Sequence, residues 1–149
     1  MLKHSIVILI MSLVLVSTHA RGQDDVLGFI KAVSGEASVI SIKGTLTVQP
    51  GMPVHLGDKL KTGSDGSLGL TFKDNTVISL GPDTEITVDE YLYTPAKDKL
   101  KLSLSLIQGT LHYLSGVIAK LKPEAVSVKT STGIIGVRGT RFLAKAEAK

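Results

Sequence analysis

Histidine, the side chain most suited to proton transfer and metal binding near neutral pH, occurs four times in this 149-residue sequence. His4 and His19 lie in an N-terminal segment that we expect to be removed, so His55 and His112 remain, in separate strand-like runs. Neither has a second histidine at metal-ligand spacing, and no His-Glu-x-x-His motif occurs. The histidines therefore predict neither a catalytic base nor a metal centre.

Nucleophile and phosphate-loop motifs are also missing. The sequence has no cysteine, no Gly-x-Ser-x-Gly elbow and no Ser-x-x-Lys pair. Gly133, Gly136 and Gly139 have the spacing of a glycine-rich loop, but no Gly-Lys-Ser/Thr ending and no helix pattern follow them. Since the flanking residues are β-formers, we expect these glycines to allow close strand packing. The sequence predicts a protein that is not an enzyme and that has no cofactor.

Five aspartates fall mostly at turns, where their oxygens could in principle bind calcium: Asp58, Asp65, Asp74, Asp83 and Asp89. A calcium site needs several oxygen ligands that converge on one point. The spacing of these residues matches no calcium-binding loop, whereas aspartate commonly caps turns through its own backbone. We therefore expect turn-capping and no bound metal.

The first 20 residues are typical of a signal peptide. A short basic start at Lys3 is followed by an apolar run over 6–16, and Thr18-His19-Ala20 supplies small residues for cleavage after Ala20. A retained membrane anchor is the alternative, but a span needs about 20 apolar residues. The absence of cysteine excludes a lipoprotein and disulfide bonds. We predict a periplasmic or secreted protein with one domain over 21–149 and no stable membrane span after cleavage.

The basic residues give the sequence a net charge of +4, but they are scattered along it and are mostly lysines. Nucleic-acid binders usually concentrate lysine and arginine on one face and add aromatic residues for stacking. Arginine and aromatic residues are both scarce here, and tryptophan is absent. The composition favours a solvated lysine-rich surface and no nucleic-acid partner.

Alternation of apolar and polar residues dominates the chain and predicts an all-β fold. The pattern is clearest over 100–106, 85–89 and 125–130, and turn residues separate the runs. Similar segments recur every eight or nine residues from 67 to 88, which stacked β-arches or a simple meander would both produce. The fold class is therefore a compact β-sandwich-like module or a short β-solenoid-like module of many short strands.

Three segments depart from this alternation. Residues 113–122 are predicted to contain one or two helical turns, ended by Pro123. Residues 91–98 read as a loop that contains Pro95, and residues 144–149 as a polar, helix-tolerant tail that frays.

The segment from Gly133 to Phe142 contains apolar β-formers that lead into a Gly-Thr step, with Arg138 among them. Because arginine keeps its charge, a covered Arg138 needs carboxylate or carbonyl partners. The loop carboxylates Asp58, Asp65 and Asp74 are the candidates. We expect this segment to hold the architecture together.

The order of several motifs resembles the FecR domain, the periplasmic β-rich module of the iron-citrate regulator family. The resemblance covers roughly 33–144 and rests on the blocks 56–63, 68–72, 74–82, 106–111, 126–133 and 137–142. The residues expected to act as its structural motif are Gly57, Asp58, Gly63, Gly109, Gly133, Arg138, Gly139, Thr140 and Phe142. It implies a β-rich envelope module.

The resemblance and the missing catalytic motifs together predict a non-catalytic binding or scaffolding domain whose partner is another envelope protein. The candidate interaction loops contain Asp65, Asp74, Asn75, Asp83, Tyr91 and Tyr93. Cell-wall glycan binding is an alternative, since Tyr91 and Tyr93 are clustered aromatics. An accessory role in transmembrane signalling is another, although the cytoplasmic helical region and membrane helix of the sigma-regulator members are not evident in this sequence.

Overall fold

Residues 25–149, the part of the chain that the computed structural model describes, contain twelve β-strands joined by hydrogen bonds into one sheet. The strands are β1 Gly28–Ser34, β2 Ala37–Ser41, β3 Gly44–Thr47, β4 Pro53–Val54, β5 Lys59–Thr62, β6 Ser67–Phe72, β7 Val77–Leu80, β8 Glu85–Thr94, β9 Lys99–Leu114, β10 Val126–Thr130, β11 Gly133–Gly136 and β12 Arg141–Ala146. The helix α1 spans Val117–Leu121, and 3₁₀ turns span Pro95–Lys97 and Pro123–Ala125. The all-β prediction is confirmed. The predicted signal peptide lies outside the described residues.

The long strand β9 divides this sheet into two curled halves. The first part of β9 pairs with β8 and β10. Together with β2, β3, β5 and β11, these strands form the half that we call the back sheet. The last part of β9 pairs with β7 and β12. Together with β1, β4 and β6, these strands form the front sheet. One strand therefore contributes backbone hydrogen bonds to both layers of the fold.

Gly109 marks the point where β9 passes from one sheet to the other. Gln108 pairs with Glu85 of the back sheet, and Gly109 pairs with Ala146 of the front sheet. Gly109 has φ +91°, and a Cβ atom there would overlap Thr84. Only glycine accepts both the positive φ and the close approach without strain, which explains a glycine within a long strand.

The core lies between the two sheets and is mainly aliphatic. The four leucines 100, 102, 104 and 106 on one face of β9 are buried, as their alternation predicts. Ile30, Leu70 and Ile78 of the front sheet belong to the same buried cluster. At about 25 cal/mol per Å² of buried apolar surface, these side chains supply most of the folding free energy in a chain without disulfides.

The strand pairs are antiparallel, with the single exception of β9 with β10. The recurring segments from 67 to 88 form β6, β7 and the start of β8. β6 and β7 make an antiparallel hairpin, whereas β8 lies in the back sheet. Stacked parallel arches are thus not the arrangement, and the solenoid-like alternative is wrong for these segments.

Two local predictions are corrected by the strands. Residues 91–94 continue β8 and pair with Lys99–Leu102 of β9, so only 95–98 form the connection. Residues 144–146 belong to β12, with Ala144 and Ala146 buried against the core. The predicted helical turn is confirmed as α1, which ends at Leu121 before Pro123. No helix among residues 25–149 has the length and hydropathy to cross a membrane.

Candidate functional site

An apolar cleft of about 290 Å³ opens between the β2–β3 hairpin and the loop that joins β4 to β5. Its walls include Val39, Leu46, Met52 and Leu56. It lies beside Gly57 and Asp58, the first block of the motif that the sequence singled out. A cleft of this size is at the lower limit for small-molecule pockets, so it suits a pair of apolar side chains from a larger partner.

The Gly57–Asp58 turn fixes one wall of the cleft. Asp58 Oδ2 accepts a hydrogen bond from the His55 amide at 2.9 Å, and the Gly57 amide donates to Val88 O at 2.9 Å. The Asp58 side chain is buried. The turn is therefore capped by its own carboxylate and attached to β8, which holds Leu56 on the rim.

Three large apolar side chains at the cleft remain exposed to solvent. Ile42 at the hairpin tip is 99% exposed, Leu56 57% and Leu46 51%. Single exposed leucines are common on protein surfaces, but a cluster around one cleft is typical of a binding site. These exposures show that no described part of the chain covers the cleft.

The strand β3 borders the cleft and is an edge of the back sheet. Within residues 25–149 it pairs with β2 alone, and all four of its residues are exposed. The edge contains no charged residue and no proline, two of the usual devices that protect an edge from pairing with another chain. An extended peptide could therefore add to this edge while its side chains enter the cleft.

The cleft has little capacity for chemistry. His55, its only histidine, has Nδ1 3.6 Å from Asp58 Oδ2, while that carboxylate caps the turn. Among residues 25–149, no group of three or more His, Asp or Glu side chains is placed to hold a metal ion.

The predicted turn residues beyond the cleft are mostly connections between strands. The Gly63 amide donates to Glu36 O at 2.9 Å, and Asp65 Oδ1 accepts from the Glu36 amide at 3.2 Å, so both attach β5–β6 to the β1–β2 turn. Asn75 and Asp83 occupy exposed corners with positive φ. These residues do not come together in one site.

Asp74 is fully buried, so the prediction that it belongs to an interaction loop is wrong. Its Oδ2 accepts hydrogen bonds from Thr76 Oγ1 at 2.7 Å and from the Ile118 amide at 3.2 Å. Its carbonyl accepts from the Val117 amide at 2.7 Å. The carboxylate thus ties the β6–β7 corner to the start of α1, and it is not accessible to a partner.

Tyr91 and Tyr93 pack against the core from β8. The Tyr91 ring stacks on Phe72 with the centroids 5.3 Å apart, and its hydroxyl bonds to Asp74. A sugar-binding platform needs an open aromatic face. The structure gives these tyrosines a packing role and offers no support for the glycan alternative.

Arg138 is exposed, and no ion pair joins it to Asp58, Asp65 or Asp74 in the described part of the chain. The predicted carboxylate partner is therefore wrong. Gly133 and Gly136 lie in the exposed edge strand β11, and a Cβ atom on either would meet nothing within 4 Å. The expected close packing at these glycines is also wrong.

The segment from Gly133 to Phe142, called the closing segment below, is held instead by Ser115, which the sequence analysis does not single out. Ser115 Oγ donates to Gly139 O at 2.8 Å, and the Ser115 amide donates to Thr140 O at 2.8 Å. Phe142 adds a stacked contact with Tyr113 at 4.8 Å between centroids. Because both acceptors are backbone carbonyls, this contact cannot be predicted from the residue types in the segment.

The comparison with known families decides the classification. Residues 58–149 match the family described as FecR protein. The chain belongs to the FecR family. The match begins at Asp58, yet β1 and β2 of this FecR chain pair with the matched strands β6 and β5.

Two further comparisons concern individual proteins. No curated protein matches the chain. A solved structure titled "Cell surface anchoring domain" is 32% identical, over 41% of this chain and 82% of that one, with a TM-score of 0.39. That score is too low to relate the two folds, so the FecR assignment rests on the family match.

Proposed function

We propose that this FecR-family chain is a non-catalytic cell-envelope module that binds an extended apolar segment of another envelope protein. The observation that carries the proposal is the uncovered apolar cleft beside the free edge of β3. The segment would extend the back sheet by one strand and place alternate side chains in the cleft.

Family membership supports the coarse part of this proposal. FecR proteins are regulatory modules of the envelope rather than enzymes, and they work with other proteins. The N-terminal segment, with its basic start and apolar run, supports export to the periplasm or to the outside of the cell. The geometry of the cleft supports the finer part of the proposal, which is the kind of partner segment that binds.

The two faces of β3 provide a matched pair of variants for the test. Leu46 pairs with the buried Val39 and lies on the cleft side, whereas Thr45 pairs with Ile40 and lies on the opposite face. Leu46→Glu places a charge in the apolar cleft, and Thr45→Glu places the same charge on the same strand outside it. Both positions are exposed, so neither change disturbs the core.

The experiment uses a photo-crosslinking residue in place of Ile42 at the hairpin tip, in intact producing cells, with the captured peptide identified by mass spectrometry. The affinity of that peptide for the purified protein is then measured by calorimetry. We expect Leu46→Glu to weaken binding at least about tenfold, or 1.4 kcal/mol, and Thr45→Glu to weaken it much less. Equal effects of the two variants, or capture of no protein at Ile42, would contradict the proposal.

A further inference from the structure

The outer face of the front sheet carries a row of three apolar side chains and one threonine across four neighbouring strands. The pairing register joins Phe29 to Thr71, Thr71 to Val77, and Val77 to Leu114. Strands are about 4.8 Å apart, so this row is about 14 Å long. Directly paired residues share one face of the sheet, and Phe29 and Leu114 are 41% and 43% exposed.

The edge strand β12 extends the apolar row. Leu114 pairs with Arg141, and Leu143 lies two residues further along on the same face, diagonal to Leu114. Leu143 is 60% exposed. Val77 and Leu114 are thus direct partners, Leu143 is diagonal to Leu114, and Phe29 lies two strands away from Val77. All four lie on one face of the sheet, which distinguishes them from the single exposed leucines of an ordinary surface.

The charges of the front sheet have one sign. Lys31 lies over the Phe29 ring with Nζ 5.9 Å from the centroid, and Arg141 and Lys145 project from the exposed face of β12. In the described part of the chain, no aspartate or glutamate occurs in any strand of the front sheet, whereas the strand carboxylates Glu85, Asp89 and Glu90 all lie in β8 of the back sheet. The apolar row therefore has cations at both ends.

We propose that this face binds an acidic amphipathic segment of a partner protein. Its apolar side chains would cover the row from Phe29 to Leu143, and its carboxylates would meet Lys31, Arg141 and Lys145. Complementary charge of this kind gives orientation and specificity more than affinity. This surface is separate from the cleft at β3, which lies in the back sheet.

Two other occupants fit the face less well. A second copy of the chain would bring cations against cations, with no strand carboxylate on either face to pair with them. An anionic membrane would match the charge. However, Thr71, Ser79 and the other small polar residues lie between the apolar side chains, so little continuous apolar surface would enter the lipid.

The test places a photo-crosslinking residue at Ser79, an exposed position that neighbours the row, in intact producing cells. The same residue at Thr87, on the outer face of the back sheet, is the matched control. We expect capture from Ser79 of a protein peptide that carries a net negative charge and apolar residues. Charge reversal by Arg141→Glu with Lys145→Glu should lower the yield about tenfold.

Several outcomes would overturn this proposal. They are a crosslink to phospholipid, a crosslink to a second copy, a captured peptide without acidic residues, no capture, or a yield that charge reversal leaves unchanged. Arg141 and Lys145 are exposed, so the variants should keep the melting temperature of the wild type. If the reversal lowers the melting temperature, the yield is measured with Leu143→Ser instead, which removes an exposed apolar side chain and should reduce capture equally.

Discussion

The Tyr91 hydroxyl accepts a hydrogen bond from the Asp74 amide at 3.0 Å and donates one to Asp74 Oδ1 at 3.2 Å. Tyr91 lies in β8 of the back sheet, and Asp74 lies at the β6–β7 corner of the front sheet. The two sheets are therefore joined by a polar contact as well as by the apolar core. Burial, followed by the charge of Asp74, raises the pKa of Tyr91, so this phenol stays protonated and able to donate.

Replacement of Tyr91 by phenylalanine should lower the free energy of unfolding by about 1–3 kcal/mol, because the Asp74 amide loses its acceptor in a buried position. The ring contact with Phe72 is kept. Tyr113→Phe is the matched control: its buried hydroxyl has no hydrogen-bond partner in residues 25–149, and Thr76 and Ser115 lie near it outside bonding geometry. Urea unfolding of both variants measures the difference, and equal losses would contradict the role of the Tyr91 hydroxyl.

Glu85 should make the stability depend on pH in the acid range. The hydrogen bond from Lys59 and the nearby Lys61 lower the pKa of Glu85 in the folded state, with Nζ–Oε distances of 2.9 and 3.4 Å. A lowered folded-state pKa stabilises the fold above the ordinary glutamate value of about 4.3, and this stability is lost as the pH falls through the folded-state value.

The variant that checks this is Glu85→Gln. Because both lysines are partly exposed, the variant should lose only about 0.5–1 kcal/mol of the free energy of unfolding at pH 7. Thermal unfolding between pH 7 and 3 should show the variant and the wild type converging as the pH falls. Curves that stay parallel over this range would mean that Glu85 titrates alike in the folded and unfolded states.

Gly109 and Gly139 both have positive φ, of +91° and +104°, but differ in the space around them. A Cβ at Gly109 would overlap the Thr84 backbone, whereas a Cβ at Gly139 would meet nothing within 4 Å. Gly139→Ala should therefore cost only the backbone strain, about 1–2 kcal/mol, and Gly109→Ala should cost about 3 kcal/mol or more. Chemical denaturation measures both. Equal losses would show that β9 can turn between the sheets without a close approach at this glycine.

The strands with strong alternation could be predicted from the sequence because their apolar side chains face one core. The four leucines from 100 to 106 are the clearest case, and all of them are buried. Residues 144–146 are predicted from the sequence to lie in a tail, because alanine and lysine have high helix propensity. They form a strand because β9 offers them a free edge, a pairing partner more than 30 residues away in the sequence that local propensity does not detect.

The candidate site was predictable only in part, for a related reason. The Gly57–Asp58 turn is predicted by its residue types, since glycine and aspartate are typical of turns. This turn forms one wall of the cleft. The front-sheet row depends on the register of five strands, and no short segment contains more than a few of its residues. Asp74 resembled an exposed turn residue because the partners that bury it, Tyr91 and Ile118, are 17 and 44 positions away.

Variants of Ser115 and Arg138 should show which of these two residues holds the closing segment in place. Ser115→Ala removes the donor to Gly139 O from a buried position, and we expect a loss of about 1 kcal/mol in the free energy of unfolding. Arg138→Ala removes an exposed side chain and should change this free energy by less than about 0.5 kcal/mol. Hydrogen exchange adds a local readout, since the amides of β12 should exchange faster in the Ser115 variant alone. A larger loss from Arg138→Ala than from Ser115→Ala would show that the arginine, and not the serine, holds the segment.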